Sequence, residues 1–105
     1  MIWLNLLDKR TRSDPNNVEE TLVRKKRIEI WNKKIDDYTR TIELNPKNAE
    51  AYGCRGFAYS ELGQHHKAIE DTYQAGLLYL KQGDRTKALE CVYWMKGVDS
   101  SFLGI

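Results

Sequence analysis

A chain of 105 residues that is 41% hydrophobic has room for one modest core and not for two domains. Its 17 Lys/Arg against 15 Asp/Glu leave a formal net charge of +2, which excludes the overall basic field that by itself draws nucleic acid or an anionic membrane. The balance is uneven: residues 1–47 carry eleven basic and eight acidic side chains, residues 48–105 six and seven, so any electrostatic footprint falls in the N-terminal half.

The opening heptad, Met1–Leu7, is apolar and places Ile2 with Leu6 and Trp3 with Leu7 at i, i+4, the spacing that one short helical turn gathers onto a side. It has no basic residues ahead of it and no small-residue cleavage site, and it is far below the length of a bilayer span, so no targeting or membrane segment is expected. Such an arm either docks on the domain's own core or stands exposed for a partner or a second copy. Asp8–Asn16, polar and containing Pro15, reads as a linker, which makes residues 1–16 arm and linker.

Asn17 followed by Glu20 has the form of a capping box, and Glu19 adds charge of the favoured sign to the first turn. No Gly or Pro follows before Leu44, so one helix of about 27 residues, roughly 40 Å long, is expected. Ile28, Trp31, Ile35, Tyr38 and Ile42 are spaced 3, 4, 3, 4 and form an apolar seam on its second half. The first half offers only Val18, Leu22 and Val23 before crossing Arg24-Lys25-Lys26-Arg27.

Pro46 disfavours continuation and Asn48 is placed to cap a second helix, Ala49–Leu62, which is rich in small residues: Ala51, Gly53, Gly56 and Ala58. Gly56 implies close approach of a neighbouring helix, and Gly63 supplies the backbone freedom that ends this one. A third helix spans His65–Gln82, and Gly83-Asp84 breaks to a fourth, Arg85–Lys96, which Gly97 is expected to end. The helical domain is thus 17–97, with 98–105 as a C-terminal tail. Cys54 and Cys91 lie far apart and read as small, buried free thiols in a reducing compartment, taken to be the cytoplasm.

Tyr52, Gly56, Tyr59, Gly63, Ala68 and Ala75, with Ile69 beside Ala68, stand at the offsets of a tetratricopeptide repeat, and on these residues the stretch 49–82 resembles that family. Ile35, Tyr38, Leu44 and Pro46 match the second helix of a preceding repeat, while Lys34 and Thr41 replace its alanines and Leu22 and Glu29 its glycines, so the long helix runs through where a hairpin would have turned. At the other end Gly56, Tyr59, Gly63 and Ala68 recur twenty residues on as Gly76, Tyr79, Gly83 and Ala88. One helix therefore serves two overlapping repeats. The expected fold is all-α: antiparallel helical hairpins of a short array, about four helices with the first one long.

The resemblance implies a protein-interaction module whose concave face takes an extended peptide or a partner helix. The positions corresponding to that face are Glu50, Gly53, Cys54, Phe57, Ser60 and Glu61, and in the overlapping register Tyr73, Gln74, Leu77 and Lys81, with Phe57 as the apolar anchor. Relatives that clamp a terminal carboxylate use Lys, Arg and Asn there, which Gly53, Cys54 and Phe57 do not supply. An array this short also lacks the number of units that usually closes a solenoid, which points to self-association through Trp3, Leu7, Val18 and Leu22.

Other chemistries find little support. His65-His66 are adjacent on a helix and so point about 100° apart, unlike a two-histidine metal face. Asp36-Asp37 and Glu70-Asp71 fall on helices, where charges normally cover a solvated face. No phosphate loop, Cys-x-x-Cys or nucleophile with a base is present, so no catalytic residue, cofactor or metal is expected. The alternative to protein binding is single-stranded RNA on the basic segment Arg24, Lys25, Lys26 and Arg27 with Lys33 and Lys34, although the motif itself is of the protein-binding kind.

Overall fold

A computed structural model of the chain describes residues 18–103, and every element in that range is an α-helix: α1 Val18–Leu44, α2 Ala49–Glu61, α3 His65–Lys81 and α4 Arg85–Leu103. The all-α expectation, four helices with a long first one, holds among the described residues. The arm Met1–Leu7, the linker and the capping residue Asn17 lie outside them.

The chain divides into two units, residues 1–30 and 31–105. The described part of the first is the N-terminal stretch of α1, with Glu19 and Glu20 in the first turn, where they favour the positive helix end. Arg24 Nη2 donates to Glu20 Oε1 one turn back at 3.3 Å. Nothing here is buried: Val18, Leu22, Val23, Ile28 and Ile30 are all exposed.

The second unit begins at Trp31. The seam on α1 deepens toward its end, from half-buried Trp31, Ile35 and Tyr38 to buried Ile42. The helix stops before the Pro46 turn, and Asn48 Oδ1 accepts the Ala51 amide at 3.0 Å, capping α2. Apart from Ile42 the buried hydrophobic side chains of the described residues are all alanines, Ala49, Ala51, Ala58, Ala68, Ala75 and Ala88, and no large side chain is fully buried. Small residues let helices approach closely, at the cost of a thin core.

Gly56 shows how close. A Cβ there would sit 2.8 Å from Thr72 Oγ1 and 3.0 Å from the Ala68 carbonyl oxygen, so α2 and α3 can meet only over a glycine. Gly76, facing α4, is less constrained, since its Cβ would lie 3.5 Å from Cys91 Cβ.

The twenty-residue recurrence is physical. Gly63 and Gly83 both take positive φ, +77° and +81°, the only described residues that do. In each turn the amide of the residue after the glycine, Gln64 or Asp84, reaches the Tyr59 or Tyr79 carbonyl at 2.9 Å. Lys67 then lies over the Tyr59 ring at 5.5 Å and Lys87 over Tyr79 at 5.6 Å, and Ala68 and Ala88 are both buried. Asp84 Oδ1 caps α4 by accepting the Lys87 amide.

One boundary differs. Gly97 does not end α4, which runs on to Leu103. A glycine terminates a helix by adopting the left-handed conformation, as Gly63 and Gly83 do; Gly97 has no positive φ, and no proline follows it to enforce a stop.

Candidate functional site

Glu50, Cys54, Phe57 and Glu61 are spaced 4, 3, 4 and so share one face of α2. Phe57 remains 46% exposed, yet its ring meets Trp31 of α1 edge-on with centroids 5.7 Å apart. Lys34 Nζ lies 5.5 Å from the Trp31 centroid. The ring is therefore in contact with α1 on one side and open to solvent on the other.

Beside it, Glu50, Ala51 and Cys54 of α2 with Tyr38 and Thr41 of α1 line a recess of about 340 Å³. Burial, then the neighbouring Cys54 thiol, push the Tyr38 hydroxyl above the ordinary phenol range, so it is neutral at physiological pH. The recess offers a carboxylate and hydroxyl groups and no basic side chain.

Behind this face sits a polar clasp. Arg55 donates from Nε to Asp71 Oδ2 at 2.7 Å and from Nη2 to Asp71 Oδ1 at 2.8 Å, a bidentate pair joining α2 to α3, and its Nη1 reaches Thr39 Oγ1 of α1 at 3.3 Å. The guanidinium stacks near the rings of Tyr52 and Tyr59. Its bonds to Asp71 hold it above even the usual arginine range, against a desolvation that lowers it. The expectation that Glu70-Asp71 covers a solvated face is corrected for Asp71, which is buried. Sequence reasoning passed over Arg55, although a signal exists: Arg55 and Asp71 lie eight residues on either side of the turn glycine Gly63, the placement that brings residues opposite each other in an antiparallel hairpin.

The positions predicted in the overlapping register are elsewhere. Tyr73 and Leu77 line an apolar groove of about 410 Å³ between α3 and α4, with Leu80, Leu89 and Val92. Gln74 and Lys81 are exposed, Gly53 and Ser60 half-buried. The structure thus sorts the predicted face into an α2 stripe backed by α1 and a separate α3–α4 groove. Arg24, Lys25, Lys26 and Arg27 are all exposed, as are Val18 and Leu22, while Trp3 and Leu7 lie outside the described residues. His65 is half-buried and His66 exposed. Among the described residues no group of His, Cys, Asp or Glu is placed to hold a metal, and no helix is long and apolar enough to cross a membrane.

Comparison with known proteins matches part of the helical array. The family model described as tetratricopeptide repeat matches residues 37–70, which run from the last turns of α1 through α2 into the start of α3. That is one repeat length, in a phase that starts ahead of the hairpin. Small glutamine-rich tetratricopeptide repeat-containing protein 2 of Mycosarcoma maydis is 41% identical over 49 residues, which are 47% of this chain and 14% of the relative. The chain therefore spans a small part of the length of that curated relative. No solved structure matches.

Proposed function

We propose that the chain binds a peptide or partner helix along the exposed face of α2 and also self-associates, a reading supported by the match of residues 37–70 to the tetratricopeptide repeat, a unit of protein-interaction arrays. One observation carries the first part: Phe57 is in contact with Trp31 yet 46% exposed, between carboxylates at Glu50 and Glu61 on the same face. A large aromatic kept half in solvent and in contact with a neighbour is the kind of residue on which binding energy concentrates. The Tyr38–Glu50–Cys54 recess beside it is the companion site for a polar group of the ligand. No catalytic role is part of this reading. The half-buried free thiols Cys54 and Cys91 support a reducing compartment such as the cytoplasm.

The test is selection of binders from a peptide library on the full chain, followed by Phe57→Ala. Affinity is expected to fall about tenfold or more while helicity is unchanged. Selected peptides that bind the variant equally well would overturn the reading. So would binding confined to oligonucleotides, weakened by salt and lost when Arg24–Arg27 are neutralised.

A further inference from the structure

The α3–α4 groove is open and almost wholly apolar. Leu80 of α3 is 56% exposed and Leu89 of α4 55%, and Tyr73, Leu77 and Val92 are exposed beside them. In a helical-repeat array such a face is where the next unit packs. At the end of the groove where α3 turns into α4, the charges are Lys81, Arg85 and Asp84, and Asp84 is engaged in capping α4. That end is therefore basic, with Arg85 itself in the groove wall.

The same chain carries a surface of complementary character. The first two turns of α1 expose Val18 (70%) and Leu22 (57%), one helical turn apart, with Glu19 and Glu20 as the only charges of the first turn. We infer that these turns of a second copy dock in the α3–α4 groove, Val18 and Leu22 against Leu80 and Leu89, with Glu19 toward Lys81 and Arg85 while Glu20 stays on Arg24 of its own helix. The apolar match supplies association and the charges fix direction, setting α1 of one copy alongside α4 of the other with the N-terminal ends together. Each copy has one donor helix and one acceptor groove, so the contact is heterologous in kind. Reciprocal exchange closes it into a dimer, and one-way exchange extends it into a chain of copies.

This rests on the self-association part of the proposed function, and the experiment separates the two. Molar mass of the full chain is measured by light scattering over a wide concentration range, for wild type, Leu22→Glu, Leu89→Glu and an equal mixture of the two variants. Both positions are more than half exposed, so the variants are expected to keep wild-type helicity by circular dichroism. Wild type is expected to exceed the monomer mass, each variant alone to associate at least about tenfold more weakly, and the mixture to regain a dimer, because each variant retains the surface the other has lost. A charge exchange gives a second readout: Arg85→Glu weakens association and Glu19→Lys in the same chain restores it. A wild type that stays monomeric throughout overturns self-association and this contact together. A wild type that assembles with neither variant altering it, or a mixture that stays monomeric when both variants disrupt assembly, overturns this contact and leaves self-association standing.

Discussion

In the α2–α3 hairpin the residues eight positions before and after the turn glycine are Arg55 and Asp71, a bidentate ion pair; in the α3–α4 hairpin the same positions hold Ala75 and Cys91. The turns themselves are alike down to the tyrosine carbonyl each one closes on. The difference lies in what covers each hairpin. Over the first, α1 lays Trp31 on Phe57 and Thr39 on Arg55, so a charged pair is enclosed and satisfied on three helices. Over the second no described helix lies, and Leu80, Leu89 and Val92 stay exposed. Similar glycine turns therefore build two hairpins, and side chains of α1 reach over only the first.

The strongest way to break this comparison is Asp71→Ala. It strands a largely buried guanidinium, and loss of about 3 kcal/mol or more of stability is expected in urea unfolding. The double variant Arg55→Ala with Asp71→Cys gives the first hairpin the second one's solution and is expected to cost clearly less than the single change. A single variant within about 0.5 kcal/mol of wild type would mean that the pair is not enclosed as described.

Next come the two glycines. Gly56→Ala forces apart backbone and side chain already at contact, an expected loss of about 1–3 kcal/mol. Gly76→Ala meets ordinary contact and is expected to be neutral or to gain up to about 1 kcal/mol from helix propensity. Opposite signs in parallel denaturant curves sharpen the comparison, and equal losses would break it.

The two side-chain caps, Asn48 on α2 and Asp84 on α4, each satisfy one amide of a first turn and should weigh about equally, whereas Gln64 opens α3 with no such bond. Asn48→Ala and Asp84→Ala are each expected to cost about 1 kcal/mol in thermal unfolding.

The smallest effect is on pH. Burial pushes the Cys91 thiol up, with the Glu90 charge adding to it, and burial likewise raises the Tyr38 and Tyr79 hydroxyls. These acids hold their protons longer in the folded chain than in the unfolded one, so the stability they contribute is complete below their ordinary values. It is lost as pH rises above about 9. Stability measured from pH 7 to 10.5 is expected to decline over the upper part of that range, and Cys91→Ala should remove the early part of the decline.

Much of the fold was legible because its signals are local. Glycine at a required positive φ, Asn and Asp at caps, and the 3, 4, 3, 4 seam act within a turn or two of chain, and the helices begin and end close to where those residues place them. Gly97 misled because glycine permits a stop without compelling one. The candidate site was legible in part. Phe57 stood out as an aromatic outside the packing signature, but Asp71 looked like any charge on a helix, since its partner lies sixteen residues away and is found only by folding the chain about Gly63. Repeat register groups Tyr73 and Leu77 with Phe57 because it does not say which hairpin a neighbouring helix reaches. Their exposure in a separate groove follows from the absence of a covering helix among the described residues, a fact no local pattern contains.

The most direct test of the central claim, that the α2–α3 hairpin is finished and the α3–α4 hairpin awaits a covering helix, is amide hydrogen exchange on dilute and concentrated wild-type protein. The account predicts that concentration adds protection at Val18–Val23 and at Leu77–Val92 and leaves α2 unchanged. Protection that grows first on α2, or does not grow with concentration anywhere in α3–α4, would contradict it.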